Sequence, residues 1–161
     1  MIFSLSLILL ALFIILSWYS LETSILLVCA LLPSYLIRFS IFTIPTTFLE
    51  IMILIIGIAW IIKKKMNHSS FKPWGEQASF FLISLLILAT IGIVISPDKY
   101  AAIGVWKAYY LEPILFFFII RDTVQSKEQI NRLFTALGLS ALFLSLFGLI
   151  QFIFRIGLPS P

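Results

Sequence analysis

Hydrophobic positions in this chain fall in long runs, and polar positions gather in short stretches between them. A hydrocarbon layer about 30 Å thick takes roughly 20 apolar helical residues to cross. Runs at 46–62, 77–96, 100–120 and 133–154 suit that length, and the N-terminal region adds 2–19 and 21–39. The run at 21–39 is marginal: Pro33 interrupts it and Glu22 and Arg38 lie at its edges. It reads as a kinked span whose charged ends snorkel, or as a re-entrant segment. The pattern predicts an all-α, polytopic transmembrane helix bundle, one domain over 1–161 with about six spans; five is the main alternative.

The connections carry turn chemistry. Pro45-Thr46-Thr47 suits the opening of the third span, with proline at the helix start and a hydroxyl to cap it. Ser96-Pro97-Asp98 predicts a tight turn, and the charged and amide residues of 122–131 suit a short surface helix. The apolar stretch from Ile2 has neither a basic leader nor a small-x-small cleavage site before Tyr19, and reads as a retained anchor.

Composition changes the expected solvent. Of the 161 residues, 61% are hydrophobic and 11% charged, against roughly 45–50% and about 25% in an ordinary globular domain. Too few charges are present to build a water-facing surface. These values exclude a soluble domain, a disordered chain, a disulfide scaffold and a nucleic-acid-binding domain, and make the lipid bilayer the first partner. Cys29 has no second cysteine to pair with.

The net charge is +4, from 11 Lys and Arg against 7 Asp and Glu. Placement gives it meaning. Lys63, Lys64, Lys65 and Lys72 fall in one polar stretch, Arg121, Lys127 and Arg132 in another. The tendency of cations to stay inside puts loops 63–76 and 121–132 in the cytoplasm and, with six spans, both chain ends outside.

Charges inside the spans are the strongest candidates for chemistry. Each costs ~2.5–3.5 kcal/mol at mid-bilayer on insertion scales, so it faces protein or a wet cavity. Glu50 lies about 6 Å and Lys107 about 10 Å from the outer face at 1.5 Å per residue. They are placed to form an interhelical ion pair or to snorkel separately to the interface. Glu112 sits about 16 Å deep, too far to snorkel, and Pro113 behind it frees the Tyr109 carbonyl and suggests a kink. Lys107 is about 140° away from Glu112 on a straight α-helix, a poor direct partner. Locking of the kink, a place on a substrate path, and acid–base work all remain open for Glu112.

Gly138, Ala141, Ser145 and Gly148 lie within about 80° of one another on the last span, a small-residue stripe suited to close helix packing in lipid. Gln151 and Arg155 extend that side. His68 is solitary and reads as solvated, while Trp18, Tyr19, Trp60, Trp74 and Tyr100 lie near span ends, as interfacial aromatics do. HExxH, GxSxG, P-loop, GxGxxG and CxxC patterns are absent from the sequence, so it predicts no metal and no cofactor.

Two stretches carry a family resemblance. One is Arg38-Phe39-Ser40-Ile41-Phe42-Thr43-Ile44-Pro45-Thr46-Thr47-Phe48-Leu49-Glu50. The other is Trp106-Lys107-Ala108-Tyr109-Tyr110-Leu111-Glu112-Pro113, followed by an aromatic-rich span, a charged loop and Gly148-Leu149-Ile150-Gln151. From Arg38 onward the chain resembles the N-terminal half of the bacterial O-antigen ligase / O-antigen polymerase family. The resemblance implies a multi-pass inner-membrane glycosyltransferase acting on a polyprenyl-diphosphate-linked glycan at the periplasmic face, without nucleotide sugar or metal. It places the family's catalytic basic residues and histidine in later spans and a large periplasmic loop, beyond Pro161. No catalytic residue is therefore carried over. The chain is expected to be a fragment whose partner is the missing C-terminal half or another membrane helix. Arg38, Glu50, Lys107, Glu112 and Arg155 stand as substrate-path or structural positions, with Lys107 and Arg155 biasing the outer side toward a diphosphate. The rivals are a transporter segment with Glu112 lining a solute or proton path, and a non-catalytic membrane scaffold docking through the small-residue stripe.

Overall fold

The computed structural model describes residues 2–41, 44–66 and 76–154. Its helices are α1 (Ile2–Tyr19), α2 (Leu21–Ala30), α3 (Phe48–Met66), α4 (Glu76–Ile95), α5 (Lys99–Trp106), α6 (Glu112–Thr123) and α7 (Lys127–Phe154). A 3₁₀ turn covers Leu32–Leu36, and a π-turn, Lys107–Leu111, joins α5 to α6. Among the described residues the fold is helical apart from one antiparallel strand pair, β1 (Arg38–Ile41) with β2 (Ile44–Thr47). The expected all-α class holds, with this pair of four-residue strands a minor addition.

Among the described residues, two helical stretches are long and apolar enough to cross a membrane: Lys99–Thr123, 25 residues, and Lys127–Phe154, 28 residues. They correspond to the fifth and sixth expected spans. The second expected span, 21–39, is broken. α2 has 10 residues, a rise of about 15 Å. Its end follows from Pro33, which has no N–H to donate and crowds the carbonyl one turn earlier. Leu31 N–H closes on Leu27, and the chain tightens into the 3₁₀ turn.

The start of the third expected span also differs. Pro45 lies in β2, opposite Ser40, and not in the first turn of a helix. α3 begins at Phe48, whose N–H donates to the Ile37 carbonyl. The expected hydroxyl cap does form: Thr47 Oγ1 accepts from Glu50 N–H at 3.3 Å. Asp98 likewise caps α5 by accepting from Ala101 N–H at 3.0 Å. The short surface helix expected within 122–131 is instead the first turn of α7, which runs on without a break from Lys127.

The core gathers Phe13 of α1, Ile25, Val28 and Cys29 of α2, Met52, Ile53, Ile56 and Trp60 of α3, Ile119 of α6 and Ala136 of α7. Buried hydroxyls there are satisfied one turn back, Ser17 on the Phe13 carbonyl and Ser24 on the Ser20 carbonyl. α3 and α6 run parallel. Glu50, Ile53, Gly57, Trp60 and Lys64 recur at three- and four-residue steps, the spacing of one helix edge. That edge meets the α5–α6 rod in sequence order: Glu50 at Lys107, Gly57 at Leu115, Lys64 at Asp122. Gly57 permits the approach, because a Cβ there lies 2.9 Å from Leu115 Cδ2. α7 packs through its first half, where Ala136 and Ser140 are buried; from Ala141 to Phe154 every residue but Gln151 is exposed.

Candidate functional site: a buried charged joint

At the hairpin end of the parallel α3/α6 pair, side chains from three elements converge. β2 supplies Thr46, α3 supplies Glu50, and the π-turn supplies Lys107. Lys107 Nζ lies 2.6 Å from Glu50 Oε2 and donates to Thr46 Oγ1 at 3.2 Å. Glu50 is 7% exposed and the Lys107 side chain 18%, so the pair is screened little by solvent.

The π-turn brings Glu112 into this group. Glu112 N–H donates to the Lys107 carbonyl, five residues back. This is the i→i+5 closure of a π-turn. Two residues joined in that way stand one turn apart on one side of the helix, as i and i+4 do in an α-helix. The 140° separation reckoned on a straight helix therefore does not hold, and Glu112 lies in the fields of both Lys107 and Glu50. The cause is Pro113, whose ring crowds the carbonyl four residues before it; widening the preceding turn relieves that contact. Glu112 is 2% exposed, and its Oε1 has no hydrogen-bond partner.

The other sequence-derived positions fall elsewhere. Arg38 is exposed on β1, opposite Thr47, and takes no part in the joint. Arg155, His68, Lys72 and Trp74 lie outside the described residues, as does most of the loop 63–76. Gly138, Ala141, Ser145 and Gly148 do not pack within the chain: all four are exposed, and a Cβ at either glycine meets nothing within 4 Å. The buried residues of α7, Ala136 and Ser140, occupy a different face. Lys107 is engaged by Glu50 and Thr46.

Two polar groups at the opposite end of the helices escaped the sequence reading. Asp122 Oδ2 accepts from Lys64 Nζ at 2.8 Å and from Trp60 Nε1 at 2.9 Å, with Lys64 Nζ 5.1 Å above the Trp60 ring. Trp60 is therefore a buried anchor, unlike the exposed Trp18, Tyr19 and Tyr100. The signal available was the i,i+4 spacing of Trp60 and Lys64. Nearby in the same tier of the chain, Glu22 at the start of α2 accepts from Gln129 Nε2 at 2.9 Å and lies 3.5 Å from Arg132 Nη1. A cleft of about 520 Å³ between α4 and α5, lined by Leu88, Gly92, Ser96, Asp98, Trp106 and Tyr110, is separate from the joint. Among the described residues no group of three or more His, Cys, Asp or Glu is placed to hold a metal.

Comparison with protein-family models, curated proteins and solved structures finds no match to this chain.

Proposed function

We propose that the chain is the N-terminal membrane portion of an O-antigen ligase/polymerase-like protein handling polyprenyl-diphosphate-linked glycans, multi-pass in the bacterial inner membrane. One observation carries this reading. The two stretches that bear the resemblance, 38–50 and 106–113, are far apart in sequence yet meet in the joint of Thr46, Glu50 and Lys107. The joint does not do the transfer chemistry; it fixes α3 against the α5–α6 rod, which would wall the cavity for the polyprenyl tail.

Six crossings fit this reading. α2 with its 3₁₀ turn rises about 25 Å, close to the hydrocarbon thickness, and is read as an irregular span that is only partly covered, with Tyr35 and Leu36 exposed. Backbone at such depth has to be satisfied internally: the turn closes Ser34 N–H on the Leu31 carbonyl and Ile37 N–H on the Ser34 carbonyl, and packs on one side against α3 and α7. The Glu22–Arg132 and Lys64–Asp122 pairs then lie on the cytoplasmic side, with the hairpin and the charged joint toward the periplasm. The test is deletion of the gene in its native bacterium. Accumulation of the lipid-linked glycan with loss of its surface product is the expected result; unchanged levels of both would sink the reading.

A second reading, a transporter segment, is favoured by the unpartnered Glu112 oxygen, a polar group facing the bundle interior. It predicts flux coupled to an ion gradient in proteoliposomes.

A further inference from the structure

The joint holds two carboxylates, Glu50 and Glu112, against one ammonium, Lys107. Glu50 and Lys107 are in contact at 2.6 Å and balance each other. Glu112, at 2% exposure with Oε1 unpartnered, would leave the group one positive charge short if it were ionised. A lone ionised carboxylate away from water is far costlier than a neutral one. The charges whose fields reach Glu112 are Glu50 from α3 and Lys107 from its own rod, and Thr46 of β2 already accepts from Lys107. Among the described residues, Lys107 is the one cation whose field is recorded at Glu112.

We infer that the Glu50–Lys107–Glu112 joint is a binding site for one exchangeable proton, carried on Glu112. With the proton bound, the group is neutral. When the Glu112 O–H bond breaks, the electron pair stays on the carboxylate and the proton leaves toward water past Lys107, the member most open to solvent at 18%. The joint then carries one net negative charge beside Lys107, whose ammonium has two carboxylates to choose between. This inference rests on the geometry of the joint and stands whether or not the chain handles glycans.

The charge count makes the proposal testable. Infrared spectra of the purified chain in detergent would be recorded across a pH series, in H₂O and in D₂O, and read for the carboxylic-acid carbonyl band. The wild type should show a band equivalent to one carboxyl per chain that shifts in D₂O and disappears at alkaline pH. Glu112→Gln should abolish it. Glu50→Gln should abolish it as well, because the charge of Lys107 is then balanced within the joint by an ionised Glu112. Lys107→Met should raise it to two carboxyls. The inference is overturned if the wild type lacks the band, if Glu50→Gln keeps it, or if sodium rather than pH removes it. Should Glu112→Gln fail to fold, the Glu50→Gln and Lys107→Met spectra decide the matter alone.

Discussion

Lys107 and Glu112 are joined by a backbone hydrogen bond spanning five residues, not four. That one extra residue per turn turns a pair reckoned to face apart into neighbours, and makes a charged joint out of three residues.

Breaking the joint should cost more than rebuilding it reversed. Removing one member of a buried ion pair typically costs about 3–5 kcal/mol, and the Glu50–Lys107 pair is buried at 7% and 18% exposure. Glu50→Lys and Lys107→Glu should each lower the unfolding midpoint of the detergent-solubilised chain. The double reversal should restore most of the loss. Additive losses in the double variant would show that the contact contributes no coupling.

Gly57 sets the spacing between α3 and α6. A methyl at this position meets Leu115 Cδ2 at 2.9 Å, the end of a flexible side chain. Gly57→Ala should therefore cost about 1 kcal/mol, and Gly57→Leu ~3 kcal/mol or more. Leu115→Ala combined with Gly57→Ala should be less damaging than the sum of the two. A double-mutant cycle on thermal stability reads this coupling.

At the other end, the two donors to Asp122 differ in weight. Trp60→Phe removes a neutral N–H donor and should cost about 1 kcal/mol. Asp122→Asn removes the carboxylate charge 2.8 Å from Lys64 Nζ, a lysine only 7% exposed, and should cost ~3 kcal/mol. Equal losses in chemical denaturation would contradict this ordering.

Substitutions on the small-residue stripe should not disturb the chain itself. Ser145→Phe and Gly148→Leu fall on exposed positions of α7, where effects stay within about 0.5 kcal/mol. A large drop in thermal stability of the isolated chain would place that face inside the fold.

Orientation is checked by fusions at the ends of α3 and α4. An alkaline phosphatase reporter should be inactive after Met66 and active after Ser96. The opposite pattern would reverse the assignment of the Lys63–Lys65 cluster to the cytoplasm.

Much of the helical frame was legible because apolar runs declare length directly. The fifth and sixth stretches match their helices to within a few residues, save that α7 absorbs the expected surface helix. The break at 31–47 was half legible. Pro33 marked an interruption, yet the hairpin depends on pairing Arg38–Ile41 with Ile44–Thr47, a tertiary choice that an apolar run does not announce. Glu50 meeting Lys107 was one of two outcomes that depth and sign allowed, the other being separate snorkelling. Glu112 joining them was not legible, because a straight-helix rise hides the π-turn that Pro113 provokes. Asp122 and Trp60 were hidden by their places at span ends, where solvated and buried residues look alike in sequence.

Cys29, the sole cysteine of the chain, is 2% exposed in the core between α2 and its neighbours. Folded, these 161 residues therefore present no accessible thiol to maleimides or nitroxide reagents. Spin labels or fluorophores can be attached at single introduced positions, such as Met66 or Tyr100, without first replacing the natural residue. Distances between hairpin and loop ends then become measurable in an otherwise unaltered polypeptide.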